Sequence, residues 1–405
     1  MPGSDATTYD YAVIDNRVVT LAADMALNTR LNTVTIKGGG ALQIDNGGNL
    51  PISEGENWDQ GWMKVGDSGT AGSLTVAAGA GLSGFSAKEI EIGYGGDATF
   101  TLNSGTVTNR SRQLGIGSGA GRTSTCYLNG GALNAPTPYG IVAGSGSGAS
   151  VTVYQNGTDV TLGNDGLYST FASGPNSTVT WYLQDGTWSG GGLSLGTHAT
   201  GVAQFIQTGG TSYQSVEMVV GTAGTALYSI SGGTLDTKQG IGYSWGSTVT
   251  VGNSTGQGTF RVIGDDSTVK VASYWGGGTQ TLFTLGANGT LEYVIDGATV
   301  TPIQIEGRGG AAGQNKQASL AGVIDLDLNA YAPTYLDTYD LLTAGTVIDN
   351  GYTLAAEDLG IWELSIVGTA GSGQTLRAQY MLTIPEPTSL SLLALAGLAL
   401  RRRRQ

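Results

Sequence analysis

Ile90-Glu91-Ile92-Gly93, then Ala98-Thr99-Phe100-Thr101-Leu102, then Ser104-Gly105-Thr106-Val107: this stretch recurs along the chain and decides its fold. An apolar pair ending in Gly opens it. A turn and a run of β-formers follow, and a Gly-bearing turn leads into a shorter β run. Leu114-Gly115-Ile116-Gly117 leads in the same way to Cys126-Tyr127-Leu128 and Gly130-Gly131-Ala132-Leu133. Leu193-Ser194-Leu195-Gly196 leads to Ala203-Gln204-Phe205-Ile206-Gln207 and Gly209-Gly210-Thr211, and Met218-Val219-Val220-Gly221 to Ala226-Leu227-Tyr228-Ser229-Ile230 and Gly232-Gly233-Thr234-Leu235. Weaker copies pass through Val151 to Tyr154, Val179 to Leu183, Thr259 to Val262 and Thr281 to Leu285.

The spacing identifies the unit. Gly93 to Gly117 is 24 residues and Gly196 to Gly221 is 25. A period of about 22 to 27 is too short for a propeller blade and fits one coil of a parallel β-helix, with three short strands and three turns. Stacked at about 4.8 Å, eight to ten coils give a rod of roughly 40 to 50 Å. Ile, Leu, Val and Phe are expected to form inward ladders, Thr, Ser, Asn and Gln to face water, and the glycines to occupy corners that need positive φ. The longer step from Gly221 to Gly252 keeps an antiparallel meander folded into a sandwich as the competing architecture. Over residues 36 to 310 the units resemble the autotransporter-type, pectate-lyase-like β-helix repeats of surface proteins. The resemblance is one of Gly and β-former pattern, and it implies an all-β, right-handed parallel β-helix.

Composition agrees with many turns between short strands. Gly is 69 of 405 residues, about 17% against a usual 7% or so, while 40% of residues are hydrophobic, enough to build a core. Charged residues total 12%, which argues against long solvent-exposed helices. The net charge of −13 disfavours nucleic acid and anionic membrane surfaces. The single cysteine, Cys126, excludes an internal disulfide and a Cys-based metal site, and in Thr125-Cys126-Tyr127-Leu128 it reads as a buried, inert core residue.

The organisation follows. Residues 1–35 are expected to cap one end, 36–310 to form the rod, and 311–318 (Ala-Ala-Gly-Gln-Asn-Lys-Gln-Ala) to link it to a small antiparallel β cap over 319–384. That cap is read from period-two alternation in Val323 to Leu328, Tyr339 to Leu342, Trp362 to Ile366 and Leu376 to Tyr380. A cap protects the unpaired strand edges at a solenoid end.

Residues 385–405 differ from everything before them. Pro385-Glu386-Pro387 blocks helix extension upstream. An uncharged, helix-prone run from Thr388 follows, carrying Leu390, Leu392, Leu393, Leu395, Leu398 and Leu400, and Arg401-Arg402-Arg403-Arg404 ends it. The 13-residue run is short against the roughly 20 residues that span a bilayer, but flanking residues extend it and arginines snorkel. The arginines are expected on the cytoplasmic side. These parts, from Ile384-Pro385-Glu386-Pro387-Thr388-Ser389-Leu390 onward, resemble the PEP-CTERM sorting signal of diderm bacteria. The resemblance implies export, a transient inner-membrane anchor, recognition by an exosortase-type membrane protease, cleavage near Pro-Glu-Pro, and delivery to the cell surface or an exopolysaccharide matrix. Without 385–405 the chain keeps 14 basic and 30 acidic residues, a net charge of −16. Met1-Pro2-Gly3-Ser4-Asp5 has none of the parts of a signal peptide, so an in-frame apolar segment is expected upstream of Met1 in the gene.

Candidate chemistry competes with repeat structure. Gly192-Leu193-Ser194-Leu195-Gly196 fits G-x-S-x-G, with His198, the one histidine, two residues on, but no helix follows and Ser194 aligns with Val219 of the next unit. Gly115-Ile116-Gly117 is a repeat corner and not a nucleotide loop. A polysaccharide lyase needs a Lys or Arg base and neutralisation of the sugar carboxylate. Lys64, Lys88, Arg110, Arg112 and Arg122 with Glu89, Glu91 and Asp97 are the set that supplies both, and a solvated mixed-charge face is the plainer reading. Asp265/Asp266 and Asp325/Asp327 are carboxylate pairs, but sequence neighbours do not establish the opposition a glycosidase needs. Trp58, Trp62, Trp181, Trp188, Trp245 and Trp275 lie in turn-rich or polar contexts. Tyr243, Trp245, Tyr274 and Trp275 are the candidates for stacking on extracellular polysaccharide. The sequence thus reads as an exported structural or adhesive protein with no cofactor, metal or catalytic residue assigned. A β-helix polysaccharide lyase or a glycan-binding protein is the alternative.

Overall fold

The computed structural model describes residues 10–22, 31–45, 47–52, 61–77, 84–135, 140–163, 168–237, 248–273, 279–307 and 316–382. The described residues are all-β, and their strands stack in parallel, coil upon coil. One sheet holds 13 strands in the order of the chain, one from each coil, from Asp10–Asp15 and Leu31–Lys37 at one end to Lys316–Leu320 and Thr346–Asp349 at the other. A 24-stranded sheet holds the other two faces. One of these runs from Val18–Leu21 to Thr353–Leu354. The other runs from Asn49–Pro51 to Thr338–Ala344, and Ser150–Leu162 and Thr178–Ser189 pass continuously from one to the other. Each coil between the two end ones therefore supplies three strands, and parallel pairing from coil to coil excludes the antiparallel sandwich.

The described residues hold thirteen rungs in place of the expected eight to ten, and at about 4.8 Å each they extend about 58 Å. The additional rungs come from the ends. Asp10–Asp15 pairs in parallel with Leu31–Lys37, so part of the segment 1–35 is a coil. Val323–Leu328 pairs in parallel with Gly289–Ile295, and Thr346–Asp349 with Lys316–Leu320. Lys316 to Ala318, read from sequence as the end of a linker, lie in this strand, while 311–315 are outside the described residues. Among the described strands, antiparallel pairing is confined to Thr338–Ala344, Gly373–Tyr380 and Trp362–Thr369, which close the C-terminal end. The hydrophobic helix expected over 385–405 lies outside the described residues.

The irregular period has a local origin. Ile92 registers with Ile116 and Val220 with Val251, steps of 24 and 31 residues. Most of the variation falls at the corner between the third strand of one coil and the first of the next: two residues separate Ser189 from Gly192, eleven separate Asp236 from Thr248. A solenoid corner tolerates such insertions because loops there face outward and leave the ladders intact. At the next corner, directly after the first strand, Gly93 and Gly117 turn with φ of 78° and 72°. Ala172 takes the same left-handed turn at 56°, where its Cβ makes it unfavourable.

Alternation puts every second side chain inside. Along the second face, Leu42, Leu74, Phe100, Cys126, Val153, Trp181, Phe205, Tyr228, Phe260, Leu291 and Ile324 stand in one inward column. In its middle the rings stack: Trp181 on Phe205 at 2°, Phe205 on Tyr228 at 3°, Tyr228 on Phe260 at 13°. Such pairs are worth about 0.5 to 1.5 kcal/mol each beyond their buried area. Trp188 packs edge-on to Trp181 at 4.7 Å, and both tryptophans are fully buried. Two buried glutamines serve the polar tips of this column. Trp181 Nε1 donates to Gln155 Oε1 at 3.0 Å, and Gln155 Nε2 donates to the Thr158 and Thr187 carbonyls. Tyr228 Oη donates to Gln207 Oε1 at 2.7 Å, and Gln207 Nε2 donates to Gly210 and Thr234. Each glutamine ties its own coil to the next. Cys126 is buried in the column, and burial pushes its thiol up to about 12, so it stays protonated and unreactive.

Candidate functional site

Three consecutive strands of the first face, Trp62–Val65, Glu89–Ile92 and Leu114–Ile116, bring together part of the mixed set of charges singled out in the sequence: Lys64, Glu89, Glu91 and Arg112. Met63, Val65, Ile90, Ile92, Leu114 and Ile116 point inward, which turns Trp62, Lys64, Glu89 and Glu91 to the outer side. Register sets Trp62 beside Glu89, Lys64 beside Glu91, and Glu91 beside Gly115. These residues are 24 or more apart in sequence and adjacent only because coils stack.

Although outward, Glu89 and Glu91 are 4% and 3% exposed. Arg112 comes from the corner before Leu114 and donates to Glu89 Oε2 at 3.1 Å. Burial raises the Glu89 carboxyl above its ordinary range, opposed by Arg112. Glu91 accepts from Ser118 Oγ at 2.6 Å. Desolvation raises it to about 7, with the Ser118 hydrogen bond opposing and the Glu89 charge adding to the rise. The Glu91 carboxylate occupies space that only glycine leaves open: a Cβ on Gly115 would meet Glu91 Oε2 at 2.1 Å. Lys64 Nζ sits 4.6 Å from the Trp62 ring centroid and 4.4 Å from that of Tyr94, and the two rings meet edge to face at 86°. The cation is thus held on an aromatic corner.

Glu91 exchanges its proton near neutrality, which suits acid–base work. Its carboxylate neighbour Glu89 is on the same side of the same strand, whereas glycoside hydrolysis requires carboxyl groups flanking the bond. Two further members of the set serve the coils. Asp97 Oδ1 accepts from the Thr123 backbone at 2.8 Å, and Arg110 donates to the Ile52 carbonyl.

The other sequence candidates are dispersed. Ser194 is 8% exposed and registers with Thr170 and Val219, as its repeat position requires, while His198 Nδ1 lies 3.2 Å from Thr200 Oγ1. Asp265 and Asp266 are exposed in a turn, with Thr299 Oγ1 donating to Asp265. Asp325 stands beside Glu292, which pairs with Arg261 at 2.7 Å. Burial, then Asp327, Asp358, Glu292 and Glu357, raises Asp325 to about 6. Among the described residues no three His, Cys, Asp or Glu side chains converge as a metal site. Trp181 and Trp188 are core, and Trp62 is half-buried. Tyr243, Trp245, Tyr274, Trp275 and the whole tail, Pro385 to Arg404 included, lie outside the described residues. Among those described, no helix is long and apolar enough to cross a membrane.

One surface feature escaped the sequence reading. Tyr127, Tyr154 and Tyr182 stand in one outward column of the second face, stacked at 5.5 and 5.1 Å with interplanar angles of 10° and 4°. Its signal was present in Cys126-Tyr127-Leu128, Val153-Tyr154-Gln155 and Trp181-Tyr182-Leu183, where Tyr follows the same inward position in three successive coils.

No family model matches the chain, and no curated protein is significantly similar to it.

Proposed function

We propose that this chain is an exported structural or adhesive protein, and that its last 21 residues deliver it. The carrying observation is the order Pro385-Glu386-Pro387, apolar run to Leu400, Arg401 to Arg404. The run forms a transient inner-membrane helix with the arginines on the cytoplasmic side. An exosortase-type protease cuts near the Pro-Glu-Pro motif, and the solenoid passes to the cell surface or exopolysaccharide matrix. Two features support this reading. The closing strand ends at Tyr380, with four residues between it and Pro385, so in sequence the motif comes soon after the closed end of the rod. The delivered product carries a net charge of −16, which keeps an extracellular rod soluble. We take the coils to be right-handed, the sense that parallel crossovers adopt.

The test compares cell fractions of the full chain, a chain lacking Pro385–Gln405, and Glu386→Ala. Membrane retention followed by release is expected of the full chain alone. Equal retention with and without the tail ends the sorting reading.

One observation favours a second reading, a polysaccharide lyase or glycan-binding surface: a cation, two carboxylates and two aromatic rings meet at Lys64, Glu89, Glu91, Trp62 and Tyr94. Unsaturated-uronate absorbance appearing in an acidic polysaccharide treated with the protein, and lost in Lys64→Met, would replace the structural reading.

A further inference from the structure

We propose that the outer side of the second face, centred on the tyrosine stack, is the surface through which two copies of this chain associate side by side. Six consecutive strands form it: Ala98–Leu102, Thr123–Leu128, the Ser150 to Gln155 part of its strand, the Thr178 to Leu183 part, Val202–Gln207 and Thr225–Ile230. None contains Asp, Glu, Lys or Arg. In the same coils the first face carries Glu89, Glu91 and Glu217 on its strands and the third carries Asp159 and Asp236, while farther along the second face itself carries Arg261, Glu292, Asp325 and Asp327. In a chain of net charge −13, two copies repel wherever acidic groups meet. These six strands are where they approach without opposed like charges.

Its shape and composition fit that partner. Outward hydroxyls of Thr and Ser flank the stacked Tyr127, Tyr154 and Tyr182, and Ile206 continues the tyrosine column. Tyr127 and Val202 are 41% and 39% exposed, large values for apolar side chains on a regular sheet. Tyrosines already ordered by stacking lose little rotamer freedom on docking, and regular sheet faces pack closely on one another. Six rungs by one strand length is about 29 Å by about 19 Å. Mutual coverage buries about 1,100 Å² in all, at the lower limit for a specific interface. The geometry points to a weak, concentration-dependent dimer, isologous about the neighbourhood of Tyr154.

Sedimentation velocity on the full chain in mild detergent, over a wide concentration range, is the test. A reversible monomer–dimer equilibrium is expected. It strengthens with salt, because screening reduces repulsion. It weakens at least tenfold in Tyr154→Lys and stays within about twofold in Tyr154→Phe. Thr180→Glu, on the neighbouring outward column, gives the same loss if Tyr154→Lys fails to fold. Three results overturn the proposal: a monomer at every concentration, association undiminished in a folded charged variant, which assigns it to the tail or another face, or a monomer whose retention by a neutral glucan gel is lost in that variant, which makes the occupant a polysaccharide.

Discussion

The coils from Trp62 to Ile116 and those from Ile141 to Val220 share a backbone and differ in how they fill the core and where they place charge. In the first group the inward side chains of the first face are aliphatic, with Met63, Val65, Ile90, Ile92, Leu114 and Ile116, Phe100 is the aromatic member of the second-face column, and the outer side of the first face carries Lys64, Glu89 and Glu91. In the second, Trp181, Trp188, Phe171 and Phe205 fill the core, and the outer side of the second face is uncharged. The two groups show that inward and outward columns of a solenoid vary independently. Each residue's neighbours are set by its column, and an exchange on one side of the pleat does not disturb the other.

Four substitutions probe that contrast, in descending order of effect. Trp181→Ala should cost about 4 kcal/mol, because it empties a fully buried position and leaves Gln155 Oε1 without its donor. Hydrogen exchange should place the loss in the neighbouring coils, since solenoid stability is a nearest-neighbour sum. Uniform loosening from Asp10 to Tyr380 would mean that the rod is a single cooperative unit.

Glu91 makes the aliphatic group of coils sensitive to pH. Its carboxyl goes from 4.5 to about 7 on folding, so the native state holds the proton more tightly. The stabilisation is full below pH 4.5 and is lost as pH rises through 7. The shift amounts to about 3 kcal/mol. Glu91→Gln should remove this dependence and be more stable than wild type at pH 8. Parallel stability curves for the two proteins between pH 5 and 8 would refute the assignment.

Gly115→Ala should cost about 1 to 2 kcal/mol by displacing the Glu91 carboxylate. The cost should shrink in a Glu91→Ser background, because the two sites share one space. An equal cost in both backgrounds would locate the strain in the backbone instead. Lys64→Met should cost least, about 0.5 to 1 kcal/mol, the value of a cation on half-exposed rings.

Much of the fold was legible because it rests on local pattern. Ile92-Gly93 and Ile116-Gly117 mark the end of a short strand and a turn with positive φ, and both belong to the chain's own chemistry. The coil count was not legible at the ends. Asp10–Asp15, Lys316–Leu320 and Thr346–Asp349 lack the terminal glycine that marks most of the others, and only their parallel partners show them to be rungs. The candidate site was half legible. Lys64, Glu89, Glu91 and Arg112 were a set by composition, yet the sequence did not separate them from Asp97 and Arg110, which bond elsewhere. Trp181 and Trp188 sit among polar neighbours in sequence and are wholly buried, because a strand alternates sides at every residue.

By itself the sequence determined the β repeat with its glycine corners, the inert cysteine, the acidic balance and the three-part tail. Each depends on residue type and near neighbours. Only the tertiary structure decided that Glu91 lies against Gly115, that Lys64 rests on Trp62 and Tyr94, and that three tyrosines form one stack. Apart from Lys64 on Trp62, two residues apart on one strand, those contacts join residues about one coil apart, and insertions at the corners vary the length of a coil. Register between coils, set by the backbone ladders and inward packing, is what brings these residues together.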